Sequence, residues 1–565
     1  MSLLRLGTSA LALAFSLTLA APVAAEGLAG SYLAARQASI QSDYREAARY
    51  YAQALARDPS NLSILENAIS AFVNLGQHER AVPIAKQMHG LAADSQIANL
   101  VLMIDDLAAE RYDQLLDGIV TEKPVMPLVN GLAQAWGELG RGQVDAAIAA
   151  FDEIVKEDGL AAFGLYHKAL ALASVGDFEA ADEIFAGEET PLRLDRRGIE
   201  ARLQILSQLD RNADALELIE KAYGDAADPG MEALKRKFEA GAPVPFTAVQ
   251  SAGEGMAEVF YMVASILSSE ANPGYSLLFS RAAEALNPTH VDAILLSAEL
   301  LDELEQYDLA TEAYDRVPRE HPSYYSAELG RADALRRGGK ADLAIEVLEQ
   351  LTESHADLPV VHNALGDMLR QEEDYEGAAK AYDAAIALFD NPEDISWRLF
   401  YVRGIARERI DRWDEAEADF RQSLKLRPDE PRVLNYLGYS LLEKQIKLDE
   451  ALEMIEKAVE GSPDSGYIID SLAWALYRLG RYGEAVPHIE RAVALMPLDP
   501  VVNDHVGDIY WAVGRKREAE FQWSRALSFE PEEDEAERIR RKLEVGLDQV
   551  LEEEGAEPLA VANEG

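Results

Sequence analysis

Four prolines near the C-terminus, Pro428, Pro463, Pro497 and Pro531, recur at steps of 35, 34 and 34 residues. Five positions before each stands a small residue (Ser423, Ala458, Ala492, Ala526), and twelve positions before each an alanine (Ala416, Ala451, Ala485, Ala519). A period near 34 residues is the sequence mark of a helical repeat array and decides the fold class before any motif is read. A single helix pair cannot bury its apolar face alone. Stacked neighbours complete the core, and such stacks make long binding surfaces more often than active sites.

The unit from Gly466 to Asp499 shows the logic. Ile469, Leu472, Ala473 and Leu476 fall at helical spacing and form one apolar stripe. Gly480 follows and suits a left-handed helix end. A second helix is predicted with Ala485, Ile489 and Ala492 facing inward, and Pro497 stops it. The alanines let the two helices approach closely while the larger residues fill the space between them.

The pattern resembles the tetratricopeptide repeat (TPR) family. It reads Leu434, Leu437-Gly438, Leu441, Ala451, Ile455, Ala458, Pro463, then Ile469, Leu472-Ala473, Leu476, Ala485, Ile489, Ala492, Pro497. The next copy is Asn503, Val506-Gly507, Tyr510, Ala519, Trp523, Ala526, Pro531, where Asn503 puts an amide at a large-apolar position. The extra residue of the first copy falls in the turn between Lys444 and Leu448. Weaker copies run upstream through Gly404 and Phe420, Gly366 and Tyr382, Ala344 and Ala310. A further unit at Tyr44, Ala47, Tyr51, Ala54 and Pro59 lies near the N-terminus. The resemblance implies an all-α, right-handed superhelical solenoid of roughly 14 stacked helix-turn-helix repeats with a C-terminal capping helix.

The chain opens with Arg5, an apolar run from Leu11 to Ala21 and small residues up to Ala25, which reads as a signal peptide over 1–25. The expected order is then an N-terminal array at 26–228, an irregular segment at 229–256, a second array at 257–531, a capping helix at 532–553 and a disordered tail at 554–565. The segment 229–256 is rich in Pro and Gly and is read either as a hinge or as a degenerate repeat. The capping helix is expected to bury Ile539, Leu543, Leu547 and Val550.

A net charge of −47 disfavours nucleic acid, whose phosphates would be repelled. The absence of cysteine removes disulfides, cysteine zinc sites and a lipidation site. Beyond the leader no segment reaches membrane length. An exported, periplasmic and soluble protein is expected. No phosphate-cradling loop, nucleophile elbow or zinc helix is present, so no catalytic residue, metal or cofactor is assigned.

In the TPR family the first helix of each pair lines the concave groove, and its non-core positions contact ligands. Carried onto this chain, the resemblance points to Asn435 and Tyr439, then Asp470, Trp474 and Tyr477, then Asp504, Asp508 and Trp511. Upstream, Asn363, Asp367 and Arg370 hold the same places. The alternative is that the tryptophans pack between repeats while the aspartates bond to neighbours. Asn503-Asp504-His505 also reads as a local hydrogen-bonded helix start. The function expected is a non-catalytic scaffold that binds partner proteins, with an envelope protease or a cell-wall hydrolase as the specific candidates. Binding of peptidoglycan or another envelope polysaccharide is the alternative.

Overall fold

The computed structural model describes residues 28–120, 124–187, 192–224 and 228–556. The expected signal peptide at 1–25 and the last part of the expected tail, 557–565, lie outside the described residues. Within them the chain forms 31 α-helices and no strand. These follow one another as fourteen helix pairs, a single helix at Pro229–Glu239 and a short terminal pair, Glu533–Val545 and Leu547–Glu553. The 34-residue lattice is therefore a stack of helix-turn-helix units, as its period requires.

The turn chemistry follows the residues. Gly480 takes φ +73°, donating to the Tyr477 carbonyl at 2.9 Å while Arg481 donates to Leu476 at 2.8 Å. These bonds close the Gly466–Arg478 helix by satisfying carbonyls left free at its end. The insertion before Leu448 is absorbed in the same turn, where both Gln445 and Lys447 adopt left-handed φ. Inside the pairs, a glycine stands where the second helix supplies a large ring. A Cβ on Gly404 would meet Phe420 at 2.6 Å and one on Gly366 would meet Tyr382 at 2.5 Å. At Gly438 the facing side chain is the smaller Ile455, which a Cβ would meet at 2.8 Å.

The chain divides into two compact units, residues 1–344 and 345–565. In the first, the chain comes back on itself. Helix Ala252–Ser268 packs on Pro127–Gly140, and helix Pro273–Leu286 packs on Leu62–Asn74 and Gln96–Ala108. Gly255 lies against the buried Trp136 indole, where a Cβ would overlap the ring. Asn74 Nδ2 donates to the Gly274 carbonyl at 3.2 Å, and Leu278 joins the cluster of Leu65, Ala68 and Ile69. The segment 229–256 holds Pro229–Glu239, which buries Met231 and Phe238 against Leu203, Leu206 and Ile219. An extended run follows, fixed where Val244 N–H donates to Ser207 Oγ at 2.9 Å and Gln208 Nε2 to the Val244 carbonyl at 2.7 Å.

In the second unit one core runs through Phe420, Leu437, Ile455, Ile469, Ile489, Val506 and Trp523. The cap is two helices rather than one. Gly546 breaks it at φ +83°, and Ile539, Leu547 and Val550 are buried with Leu543 packed beside them.

Candidate partner-binding face of the second unit

The first helices that matter here are Pro431–Glu443, Gly466–Arg478 and Pro500–Ala512. Each sends a carboxylate past its own partner helix to the first helix of the next pair. Glu443 accepts from Trp474 Nε1 at 3.2 Å and from Arg478 Nη1 at 3.0 Å. Both Asp470 oxygens lie 3.0 Å from His505 Nδ1. Asp504 and Asp508 together surround Lys542 Nζ from the Glu533–Val545 helix. The stripe is a chain of polar braces running up the stack.

Aromatic rings fill the spaces between braces. Trp474 stacks on His505 at 3.9 Å between ring centres, tilted by 15°, and on Tyr477 at 4.8 Å and 20°. It remains half-buried, while Tyr477 is buried. Trp511 donates Nε1 to Asp548 at 3.0 Å and lies under the Gly546 break, where a Cβ would sit 2.6 Å from the indole. Lys516 covers its ring at 4.2 Å.

Upstream the arrangement turns inward. Asn435 is buried, and its Oδ1 has no hydrogen-bond partner among the described residues. Tyr439 beside it is half-buried, and burial raises its phenol pKa, aided by the charges of Glu443 and Asp470. Asp367 accepts from Tyr382 of its own repeat at 2.8 Å and from Asn363 at 3.1 Å, while Arg370 donates to the Tyr382 hydroxyl at 3.3 Å.

Burial pulls the His505 imidazole down, but the charge and hydrogen bond of Asp470, with Asp504 and Asp508, outweigh it, so its pKa is raised. Asp504 is pushed up by burial first and by the charge of Asp508 second, against the pull of Lys542. The Asn503-Asp504-His505 triplet is split in its use. Asn503 is local, donating to the carbonyls of Asp499 at 2.7 Å and Pro497 at 3.3 Å. The helix cap itself is Asp499, which accepts from Val502 N–H at 2.9 Å. Its two neighbours bond across repeats instead.

Sequence reasoning did not pick out Glu443, Arg478, His505 or Lys542 as parts of this face. A signal for Lys542 existed, because it lies three residues after Ile539 on the buried side of the cap.

Two tetratricopeptide repeat profiles match the chain. One covers residues 16–94, 132–191, 295–359, 329–392 and 401–466, more than half its length, and the other covers 467–496. The chain belongs to the tetratricopeptide repeat family. TPR repeats of this kind mark a protein–protein interaction scaffold, and the TPR scaffold fold is in general non-catalytic. A TPR repeat-containing protein of Pseudomonas aeruginosa is 29% identical over 207 residues. That match spans 36% of this chain and 34% of the relative, so the chain spans about a third of the length of that protein. Among solved structures, the APC/C hetero-tetramer Cut9–Hcn1 aligns over 92% of this chain and 96% of that chain, at 14% identity and a TM-score of 0.38. A TPR protein from Parabacteroides merdae aligns over 46% of this chain and 98% of its own, at 17% identity and a TM-score of 0.38. Among the described residues of this TPR protein, no helix is long and apolar enough to cross a membrane.

Proposed function

We propose that this TPR protein is an exported, non-catalytic adaptor that holds a partner protein against the first-helix face of its second unit. Its specific form is presentation of a client to an envelope protease or a cell-wall hydrolase, on the likeness of length, leader and repeat number to exported TPR adaptors. The observation that supports the face is the half-buried Trp474 ring, clamped between His505 and Tyr477 and tied to Glu443. A ring held in advance loses little freedom on binding, which is what makes an aromatic anchor effective. Tyr439 and Trp511 extend the contact surface. Asn435, Asp470, Tyr477, Asp504 and Asp508 position it.

Crosslinking of the mature chain in native envelopes, read by mass spectrometry, tests this reading. Protein crosslinks to the Pro431–Glu443 and Gly466–Arg478 helices are expected, and Trp474→Ala should reduce them in a protein that melts as the parent does. Retention of glycan fragments with no protein partner would instead favour envelope polysaccharide and sink the adaptor reading.

A further inference from the structure

We infer that a cavity of the first unit is a binding site for a small neutral aromatic molecule that carries a carbonyl or ether oxygen. This goes beyond the scaffold reading and shares no residue with the second-unit face.

The return of the chain builds it. Helix Ala252–Ser268 packs on Ala161–Ser174 as well as on Pro127–Gly140. Steps of three and four residues put Phe163 with Tyr166 on one side of Ala161–Ser174, and Glu258 with Tyr261 and Met262 on one side of Ala252–Ser268. Leu192 and Leu194, in the stretch that leads into helix Arg196–Gln208, supply a third wall. The cavity between them measures about 370 Å³, within the range of sites that take a small ligand.

Its polar groups are of two kinds. The Tyr166 and Tyr261 hydroxyls have no hydrogen-bond partner among the described residues. Burial first, and then neighbouring carboxylates, raise the pKa of both phenols, so they stay protonated and free to donate. The charged groups, by contrast, are already answered. Glu258 is buried and accepts from Arg197 Nε at 3.0 Å, with His290 Nε2 at 3.2 Å. Asp195 accepts from Gly198 N–H at 2.8 Å as the cap of its helix. Asp195 and Arg193 are both exposed, where solvent screens them. No lining charge is left buried without a partner, so an ion entering here would shed its water without gaining a counter-ion.

The walls point to an aromatic occupant. Among the described residues Phe163, Tyr166 and Tyr261 make no ring contact with one another. Tyr166 meets His167 and Phe185, and Tyr261 meets His290, and none of these partners lines the cavity. Arg197 lies over the Tyr261 ring at 5.9 Å, again from outside the lining. Three rings thus border the cavity without pairing across it, with the Met262 thioether beside them. A flat ring placed between them gains edge and face contacts, and sulfur–aromatic contact as well. Two phenol donors without partners match an oxygen acceptor on that ring.

Fluorescence titration of the full chain with acetyl-dimethylaminonaphthalene, a neutral naphthyl ketone, tests this. Saturable binding is expected. Tyr166→Phe should weaken it about fivefold by removing one donor, and Phe163→Ala about tenfold by removing a wall, in proteins that melt as the parent does. Methyl naphthoate should displace the probe. Naphthoate and naphthyl-trimethylammonium should compete at least about tenfold more weakly, because each must give up its hydration. Absence of saturable binding, equal competition by either ion, or unchanged affinity in Tyr166→Phe would each overturn the proposal. Tyr166→Phe keeps the ring and so decides the matter even where Phe163→Ala fails to fold. Trp474→Ala should leave probe binding intact. Failure here with retained crosslinks at Trp474 would remove this inference alone, and the reverse result would remove only the assignment of the second-unit face.

Discussion

Lys542 Nζ lies 2.7 and 2.8 Å from the two carboxylate oxygens of Asp508, with both side chains withdrawn from solvent. Asp504 approaches the same nitrogen at 2.9 and 2.7 Å, and Trp523 Nε1 donates to Asp508 at 2.9 Å. One lysine of the cap thus gathers two acids of the last repeat. A buried pair of this kind is not in itself a large source of stability, but breaking one side of it is strongly unfavourable. It therefore acts as a latch that specifies where the cap docks.

Lys542→Met leaves the two carboxylates with only the more distant Arg538 guanidinium, 3.6 Å from Asp508 and 3.9 Å from Asp504, and should destabilise the docked cap by about 3 kcal/mol. Hydrogen exchange reads it directly. Amides of 533–553 should lose protection while those of Pro359–Gln371 keep theirs. Equal protection in both proteins would show that the latch contributes nothing.

The His505 pair gives a pH dependence of definite sign. Its raised pKa means the folded chain holds the proton more tightly than the unfolded chain, whose imidazole titrates near 6.5. The stabilisation is complete below that value and is lost as pH rises through the higher folded pKa. Urea midpoints should therefore fall as pH rises above about 6.5, and His505→Gln should flatten that part of the profile. A parent slope that survives in the variant must come from another group.

Glu258 titrates at the opposite end of the scale. Burial raises its pKa, but Arg197 and the hydrogen bond from His290 overcome this and depress it from 4.5 to about 2. His290 Nε2 lies 3.2 Å away, and Arg197 pairs with both Glu258 and Asp292. Its contribution is present above 4.5 and is lost as pH falls toward 2. Glu258→Gln should cost the first unit about 3 kcal/mol at neutral pH and blunt its acid unfolding, measured by thermal melts across that window.

Gly507 and Gly514 separate two kinds of glycine requirement. A Cβ at Gly507 would overlap the Trp523 indole, whereas Gly514 faces open space at φ +81°. Gly507→Ala should cost about 1–3 kcal/mol through overpacking. Gly514→Ala should cost about 1 kcal/mol through backbone strain alone. Denaturant midpoints for the two variants check the order, and relief of only the first by Trp523→Leu would identify the clash as its cause.

Much of this was legible in the residues. The prolines and alanines marked the helix pairs, and Gly480 was readable as a left-handed end, because helix period and turn conformation are local properties. The four-residue spacing that puts Asp470 with Trp474, and Asp504 with Asp508, on one side of their helices was readable for the same reason. Their partners were not. His505 lies 35 residues from Asp470, and Lys542 lies 34 from Asp508. No local pattern says which residue of the next element will arrive opposite.

The sequence by itself determined that this chain is a stack of TPR helix pairs, which residues of its C-terminal repeats fill the core and which acids there share one side of a first helix. The tertiary structure alone decided that those acids reach across to the next repeat and the cap, and that residues 273–286 return to helices formed some 200 positions earlier, as in the bond from Asn74 to Gly274. The physical reason is curvature. Small rotations between neighbouring repeats accumulate along a stack, and their sum, rather than any single repeat, sets which distant side chains meet.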